Sequence, residues 1–155
     1  MNRIVCIGNR FLEQDSAGPR VFDRLRRAGA VPDVEICDGG TAGLNLLSAA
    51  EGCKRVVFVD AVQGFGAPGD LVVLEARDFA EPSRPPSCHG MGLSTLIPLF
   101  PKVCDRPAPE VYVLGIESPA DEDAIQRAAE RSLALARHGR AVPGAGAPRE
   151  GGVLS

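Results

Sequence analysis

The sequence predicts a single α/β domain with three layers (α/β/α) around a twisted, mostly parallel five-stranded sheet that includes one antiparallel strand. Its 155 residues suit one domain of common size, and 45% hydrophobic and 24% charged residues are typical of a globular protein. Strand-like and helix-like segments alternate over the first part of the chain. That alternation predicts parallel crossovers with helices on both faces of the sheet.

Five short runs rich in β-branched residues predict the strands. They are Arg3–Ile7, Val34–Cys37, Arg55–Val59, Asp70–Leu74 and Val111–Ile116. Only Gln63–Pro68 separates the third run from the fourth, which is too short for a parallel crossover helix. The fourth strand is therefore expected to run antiparallel, at an edge of the sheet.

The helices are predicted from apolar periodicity and from their start signals. Gly18-Pro19 opens the first, because proline is tolerated in the first helical turn. The others are Leu44–Ala50, about Gly90–Phe100 and Asp121–His138. The domain is thus expected to cover residues 1–138, and residues 139–155, rich in Gly, Pro and Ala, are expected to form a flexible tail.

Charge and composition exclude several classes of function. A net charge of −3 provides no basic excess for nucleic acid, and no apolar run reaches the ~18–20 residues of a membrane span. The N-terminus is too short in its apolar part for a signal peptide. Five cysteines without a CxxC pair are typical of reduced thiols. We therefore expect a cytoplasmic protein that binds neither nucleic acid nor membranes.

Common catalytic and nucleotide-binding motifs do not occur in the chain. It contains no GxGxxG fingerprint, no P-loop and no GxSxG elbow. Cys88 beside His89 could suggest a thiol nucleophile, but sequence neighbours rarely reach thiolate–imidazole geometry. Taken alone, His89 is better interpreted as a polar loop residue.

Polar residues follow the predicted strands at the carboxyl edge of the sheet, where open α/β sheets bind ligands. The second strand is expected to end at Asp38-Gly39-Gly40 and the third at Asp60, which would meet solvent only at the strand tip. Asn9 and Asp15 approach the same edge. Each residue has a structural interpretation on its own: a turn for Asn9 and Asp38, a helix start for Asp15, a loop cap for Asp60. Their convergence on one edge is what indicates a site.

Four motifs occur in order between Arg3 and about His138. They are Gly8-Asn9 followed by Asp15 and Gly18, the segment from Asp38 to Gly43 (DGGTAG), Val59-Asp60-Ala61, and the segment from His89 to Leu93 (HGMGL). With these motifs the chain resembles the hydrogenase maturation endopeptidases, which process the large subunits of nickel–iron hydrogenases. Gln14 departs from the pattern, since many members carry an acid at that position.

The resemblance implies a nickel site formed by Asp15, Asp60 and His89, with a surrogate divalent metal able to bind in vitro. Asp38 would line the same cleft and position water or the substrate chain, completing the catalytic set. The nickel would be the one already inserted into the hydrogenase large-subunit precursor, the expected partner. One peptide bond near the precursor's C-terminus would then be hydrolysed by a monomeric enzyme, through either an aspartic-type or a metal-assisted mechanism.

Two other functions stay open on the sequence. A non-catalytic nickel-binding chaperone or loading sensor would use the same three residues. A small-molecule hydrolase is allowed by the fold class alone, although the motifs do not favour it.

Overall fold

Five strands form one sheet in the computed structural model, which describes residues 1–41, 45–75, 78, 97 and 108–140. The strands are β1 (Asn2–Ile7), β2 (Val34–Gly40), β3 (Arg55–Val62), β4 (Leu71–Glu75) and β5 (Glu110–Glu117). Their order across the sheet is β2-β1-β3-β5-β4. The most hydrophobic run of the sequence, β3, therefore lies at the centre, where both of its faces are covered.

The strand directions follow from the lengths of the connections. β1 pairs in parallel with β2 and β3, and β3 pairs in parallel with β5. β4 follows β3 after a short loop and pairs antiparallel with β5 at the edge of the sheet. The predicted mostly parallel sheet with one antiparallel strand is confirmed.

A 3-10 turn and three helices are described: the turn Glu13–Asp15, then α1 (Ala17–Ala28), α2 (Asn45–Ala50) and α3 (Glu122–His138). None of the helices within the described ranges has the length and apolarity needed to cross a membrane. The helix predicted at Gly90–Phe100 lies outside the described residues except for Ile97, which is buried.

One face of the sheet is covered by α1 and α3. Val21 and Leu25 of α1 are buried there with Ile125 and Leu135 of α3. Glu122 joins the two helices at their exposed side, since its two carboxylate oxygens accept from Arg20 and Arg24 at 2.6 Å each.

Asp121 and Gly139 cap the two ends of α3. The Asp121 carboxylate accepts the Ala124 N–H at 2.8 Å, and the Gly139 N–H donates to the Leu135 carbonyl at 2.9 Å. These bonds satisfy backbone groups that a helix end otherwise leaves without partners.

The opposite face carries a second apolar cluster, which includes Phe58, Val62 and Ala50 of α2. Side chains alternate between the two faces along β3. Val57, Val59 and Ala61 therefore belong to the α1–α3 side. This alternation decides where each candidate site residue points.

β2 and β3 each extend three residues beyond their predicted ends. β2 continues to Gly40, which pairs with Ile7 after an irregularity in register, and β3 continues to Val62. The prediction that Asp60 ends the third strand is wrong, because β5 extends alongside and pairs Asp60 with Gly115. Hydrogen bonding to a long neighbouring strand overrides the local preference of an aspartate for a strand end.

The end of α3 is attached to the sheet. The Arg140 guanidinium forms an ion pair with Glu75 of β4 at 2.8 Å, and the Arg140 N–H donates to the Tyr112 hydroxyl at 3.3 Å. Ordered contacts thus reach two residues past the predicted domain boundary at residue 138. The rest of the predicted tail, residues 141–155, lies outside the described residues.

Candidate active site

The loop after β1 holds Asp15 in a fixed position. The Asn9 N–H donates to the Asp15 backbone carbonyl at 2.9 Å and to its carboxylate Oδ2 at 3.1 Å, and the Asp15 N–H donates to the Leu12 carbonyl at 2.9 Å. Gly8 has a φ of +144°, and a Cβ there would lie 2.3 Å from the Asp15 carbonyl oxygen. Only glycine permits this close approach, which explains the Gly8-Asn9 motif.

Asn9 also closes the turn from inside. Its side-chain Oδ1 accepts the Phe11 N–H at 2.9 Å, and its carbonyl accepts the Leu12 N–H at 3.1 Å. The interpretation of Asn9 as a turn-forming residue is confirmed.

Asp60 is fully buried, with 0% of its surface exposed. It alternates with Phe58 and Val62 along β3, so its side chain lies on the α2 side of the sheet. Neither carboxylate oxygen has a hydrogen-bond partner in the described part of the chain. The expectation that Asp60 meets solvent at a strand tip is therefore wrong.

The 3-10 turn that carries Asp15 contacts β3, the strand that carries Asp60. The pKa of Asp60 is raised well above its ordinary value, first by burial and then by the negative charge of Asp15. The Ala61 N–H opposes this rise with the smallest of the three effects, and it makes no hydrogen bond of normal geometry to either oxygen. Like charges close together in a desolvated place oppose ionisation, so the pair disfavours two negative charges at once.

A cation would relieve this electrostatic conflict. Asp15 Oδ1 is also buried without a partner among the described residues, so three of the four carboxylate oxygens of the pair have none. Buried polar atoms without partners are costly and uncommon in folded proteins. Oxygen donors of this kind suit a divalent metal ion, and the residues that the structure describes here therefore fit one.

The buried Asp60 should make stability fall as pH rises. Because the folded-state pKa is raised, unfolding releases a proton between the ordinary aspartate pKa and the folded-state pKa. The free energy of unfolding should therefore decrease through that window, by up to about 1.4 kcal/mol per pH unit for this one group. Urea unfolding of wild type and Asp60→Asn from pH 4 upward, in chelator, tests this. The variant should lack this decrease in the free energy of unfolding. Parallel pH dependences for the two proteins would contradict the prediction.

Asp38 points to the other face of the sheet. It pairs in register with Cys6, which pairs with Val59, so all three side chains face α1 while Asp60 faces away. Its Oδ1 accepts the Gly40 N–H at 3.0 Å, a local bond typical of turns, but both residues lie in β2, so the turn interpretation is wrong. Its Oδ2 lies 3.5 Å from the Arg10 guanidinium. Asp38 thus shares the edge predicted from the sequence, but not the environment of Asp60.

The remaining predicted site residues lie outside the described residues. This applies to His89 with the HGMGL motif, to Cys88, and to Ala42 and Gly43 of the DGGTAG motif. Within the described ranges, no three His, Cys, Asp or Glu side chains are grouped closely enough to hold a metal. The described part of the site is the Asp15–Asp60 pair, and His89 stays a prediction.

The described cysteines are structural. Cys6 and Cys53 are buried free thiols, and Cys37 is a partly buried one. Burial, followed by a hydrogen bond to Glu35, raises the pKa of Cys37 to about 11, so this thiol is protonated at neutral pH. A protonated thiol is a poor nucleophile.

Glu117 is a buried residue of this region that the sequence analysis missed. Its carboxylate accepts three backbone N–H groups from the β3–β4 loop: Gly64 at 3.1 Å, Phe65 at 2.7 Å and Gly66 at 2.9 Å. Successive N–H groups of this kind form an anion-binding nest. The available signal was a glycine-rich turn together with an acid at the end of a buried strand.

The neighbouring residue, Ser118, ties the end of β5 to the turn that carries Asp15. Its hydroxyl donates to the Gln14 carbonyl at 2.8 Å, and its N–H donates to the Val62 carbonyl at 3.1 Å. The Gln14 backbone thus has a positioning contact, whereas no role for the Gln14 side chain follows from the structure.

Glu117→Gln should lower the free energy of unfolding by about 1–3 kcal/mol. A glutamine presents an NH₂ group to one of the three N–H donors and loses the charge that strengthens the others. Urea unfolding measures the change, with Glu51→Gln on the exposed surface as the matched control, expected within about 0.5 kcal/mol of wild type. Equal stabilities of the two variants would contradict the assigned role.

Comparison with known proteins gives a consistent family. A family model described as hydrogenase maturation protease (HycI) matches residues 19–136. The hydrogenase 2 maturation protease of Escherichia coli K12 is 33% identical over 99 residues, covering 61% of this chain and 59% of the relative. The hydrogenase 3 maturation protease of the same strain is 30% identical over 116 residues, covering 74% and 70%. The chain therefore spans less than two thirds of the length of the first of these relatives.

Solved structures match the fold over most of the chain. The hydrogenase maturating endopeptidase HybD from E. coli superposes with a TM-score of 0.70 at 27% identity, covering 88% of this chain and 93% of that one. A [NiFe] hydrogenase maturation protease from Thermococcus kodakarensis gives 0.71 at 22% identity, covering 88% and 99%. This second likeness supports the fold alone.

Proposed function

Because this chain belongs to the hydrogenase maturation protease family, we propose that it is an endopeptidase that removes a short C-terminal peptide from the nickel-loaded large-subunit precursor of a nickel–iron hydrogenase. The observation that carries the proposal is the Asp15–Asp60 pair, with three buried carboxylate oxygens that lack partners among the described residues. Such a pair suits a protein that recognises a cation carried by its substrate.

Asp15 and Asp60 would bind the nickel that the precursor carries, with His89 as the third ligand by family resemblance. Carboxylate and imidazole donors suit a borderline divalent ion. Its positive charge would stabilise the ionised form of Asp60, which the protein interior otherwise disfavours. A carboxylate must lose its proton to act as a ligand, so precursor binding should weaken on acidification.

The other residues of the site have supporting roles. Asp38 is proposed to position the substrate chain from the α1 side of the strand ends, since its side chain does not face Asp60. Hydrolysis of the peptide bond needs a water and a base near the scissile bond, and either an aspartic-type or a metal-assisted route would use this pair.

The test mixes the protein with nickel-loaded and with nickel-free precursor and reads the mass of each precursor. Loss of a short C-terminal peptide from the loaded form alone is the expected result. Nickel-dependent binding without cleavage of a matched precursor would overturn the peptidase and favour a chaperone or loading sensor. Cleavage of both forms at equal rates would overturn the metal requirement.

A further inference from the structure

Two large apolar side chains extend into solvent from the loop that leads to Asp15. Phe11 is 89% exposed and Leu12 is 56% exposed. Within the described ranges, the only other large hydrophobic residue that is exposed is the terminal Met1. Two adjacent exposed apolar side chains beside a candidate site indicate an interaction surface more strongly than a single one does.

This loop is held in place by its own hydrogen bonds. Asn9 accepts the backbone N–H groups of both Phe11 and Leu12, and the Leu12 carbonyl accepts the Asp15 N–H. The apolar side chains therefore project from a closed turn whose last residue is Asp15. A preorganised surface loses less conformational entropy when it binds a partner.

The charge beside the two side chains is already neutralised. The Arg10 guanidinium lies 3.2 Å from the Asp23 carboxylate and 3.5 Å from that of Asp38. The turn thus presents apolar surface next to a paired cation, which suits an uncharged apolar segment better than an acidic one. Side chains as exposed as these do not line a concave pocket of the kind that binds small molecules, so the fitting occupant is a polypeptide.

We propose that Phe11 and Leu12 form an apolar anchor that binds a segment of the precursor polypeptide bearing apolar side chains. This inference rests on the proposed function and names a contact for the same substrate. Asp15 lies three positions after Leu12 in a 3-10 turn, which at a rise of ~2.0 Å per residue is a span of about 6 Å. A precursor segment on the anchor would therefore lie a few residues from the group that Asp15 and Asp60 bind.

The experiment measures processing of nickel-loaded precursor by wild type and by the double variant Phe11→Ser with Leu12→Ser. Both side chains are exposed, and their backbone hydrogen bonds persist in the variant, so the fold should be unchanged by circular dichroism. KM should rise about tenfold or more, while kcat stays within about threefold. The conservative pair Phe11→Leu with Leu12→Met keeps the apolar surface and should stay within about threefold of wild type in both.

Unchanged KM in the serine double variant would overturn the anchor and leave the proposed function standing. If wild type does not cleave the precursor, the proposed function fails, and direct binding of loaded precursor decides the anchor separately. In that arm, a Kd about tenfold weaker for the serine double variant supports the anchor. Equal binding, or none by wild type, overturns it.

Discussion

Replacing Asp60 by asparagine is expected to slow processing of nickel-loaded precursor by about 10²-fold or more while leaving the domain folded. The amide has the same shape but cannot provide an anionic oxygen, and loss of a group that merely orients a metal's ligands already costs about 10–100-fold. Asp15→Asn should lower the rate by a similar factor, because the Asp15 Oδ1 is likewise buried without a partner among the described residues. Rates follow from the mass of the precursor over time.

Asp123→Asn is the matched control. Asp123 is exposed on α3, where it pairs with Arg127 at 2.9 Å, and exposed pairs of this kind contribute little to stability. Its processing rate should equal that of wild type. Wild-type rates in both Asp60→Asn and Asp15→Asn, with folding confirmed by circular dichroism, would show that the assigned site is wrong.

The sheet was predictable because the signals that specify it lie in short stretches of the sequence. The order of strand-like and helix-like segments predicts parallel crossovers, and the short stretch Gln63–Pro68 alone forces β4 to run antiparallel. Helix positions followed from equally local signals, such as Pro19 in the first turn of α1 and the apolar periodicity of α3.

The burial of Asp60 was not predictable, because it depends on a strand that is distant in the sequence. A sequence that places Asp60 directly after four apolar residues suggests a strand end. Burial instead follows from β5, which begins 50 residues later and continues beside Asp60 as far as Glu117. The unsatisfied carboxylate that carries the proposed function is thus a property of tertiary packing.

The direction of Asp38 shows a second limit. Its position at the carboxyl edge was correct, but side chains alternate with a period of two, and one residue of register decides the face. The pairing of Cys6 with both Asp38 and Val59 fixes that register. Two residues at the same edge of a sheet can therefore have their side chains on opposite faces, as Asp38 and Asp60 do.

Gly18→Ala is expected to lower the free energy of unfolding by about 3 kcal/mol or more, the largest stability effect of a single methyl group that we foresee here. An added Cβ would lie 2.0 Å from the Ile7 carbonyl oxygen and 2.8 Å from its carbon, so the clash is with the backbone of β1. Rigid backbone has little freedom to yield, and overpacking of this kind strains both elements. Because α1 begins two residues after Asp15, processing should fall as well.

The sign of the Gly18 effect makes the experiment decisive. Helix propensity alone predicts that alanine in place of glycine stabilises α1 by about 1 kcal/mol, so a stabilised variant would contradict the close packing of α1 on β1. Gly52→Ala is the matched control: a Cβ there meets open space and only the φ of +78° opposes it, so a loss of about 1–2 kcal/mol is expected. Urea unfolding of the two variants separates steric from conformational cost. If Gly18→Ala loses much more free energy of unfolding than Gly52→Ala, the backbone contact between α1 and β1 is the reason that this motif requires glycine.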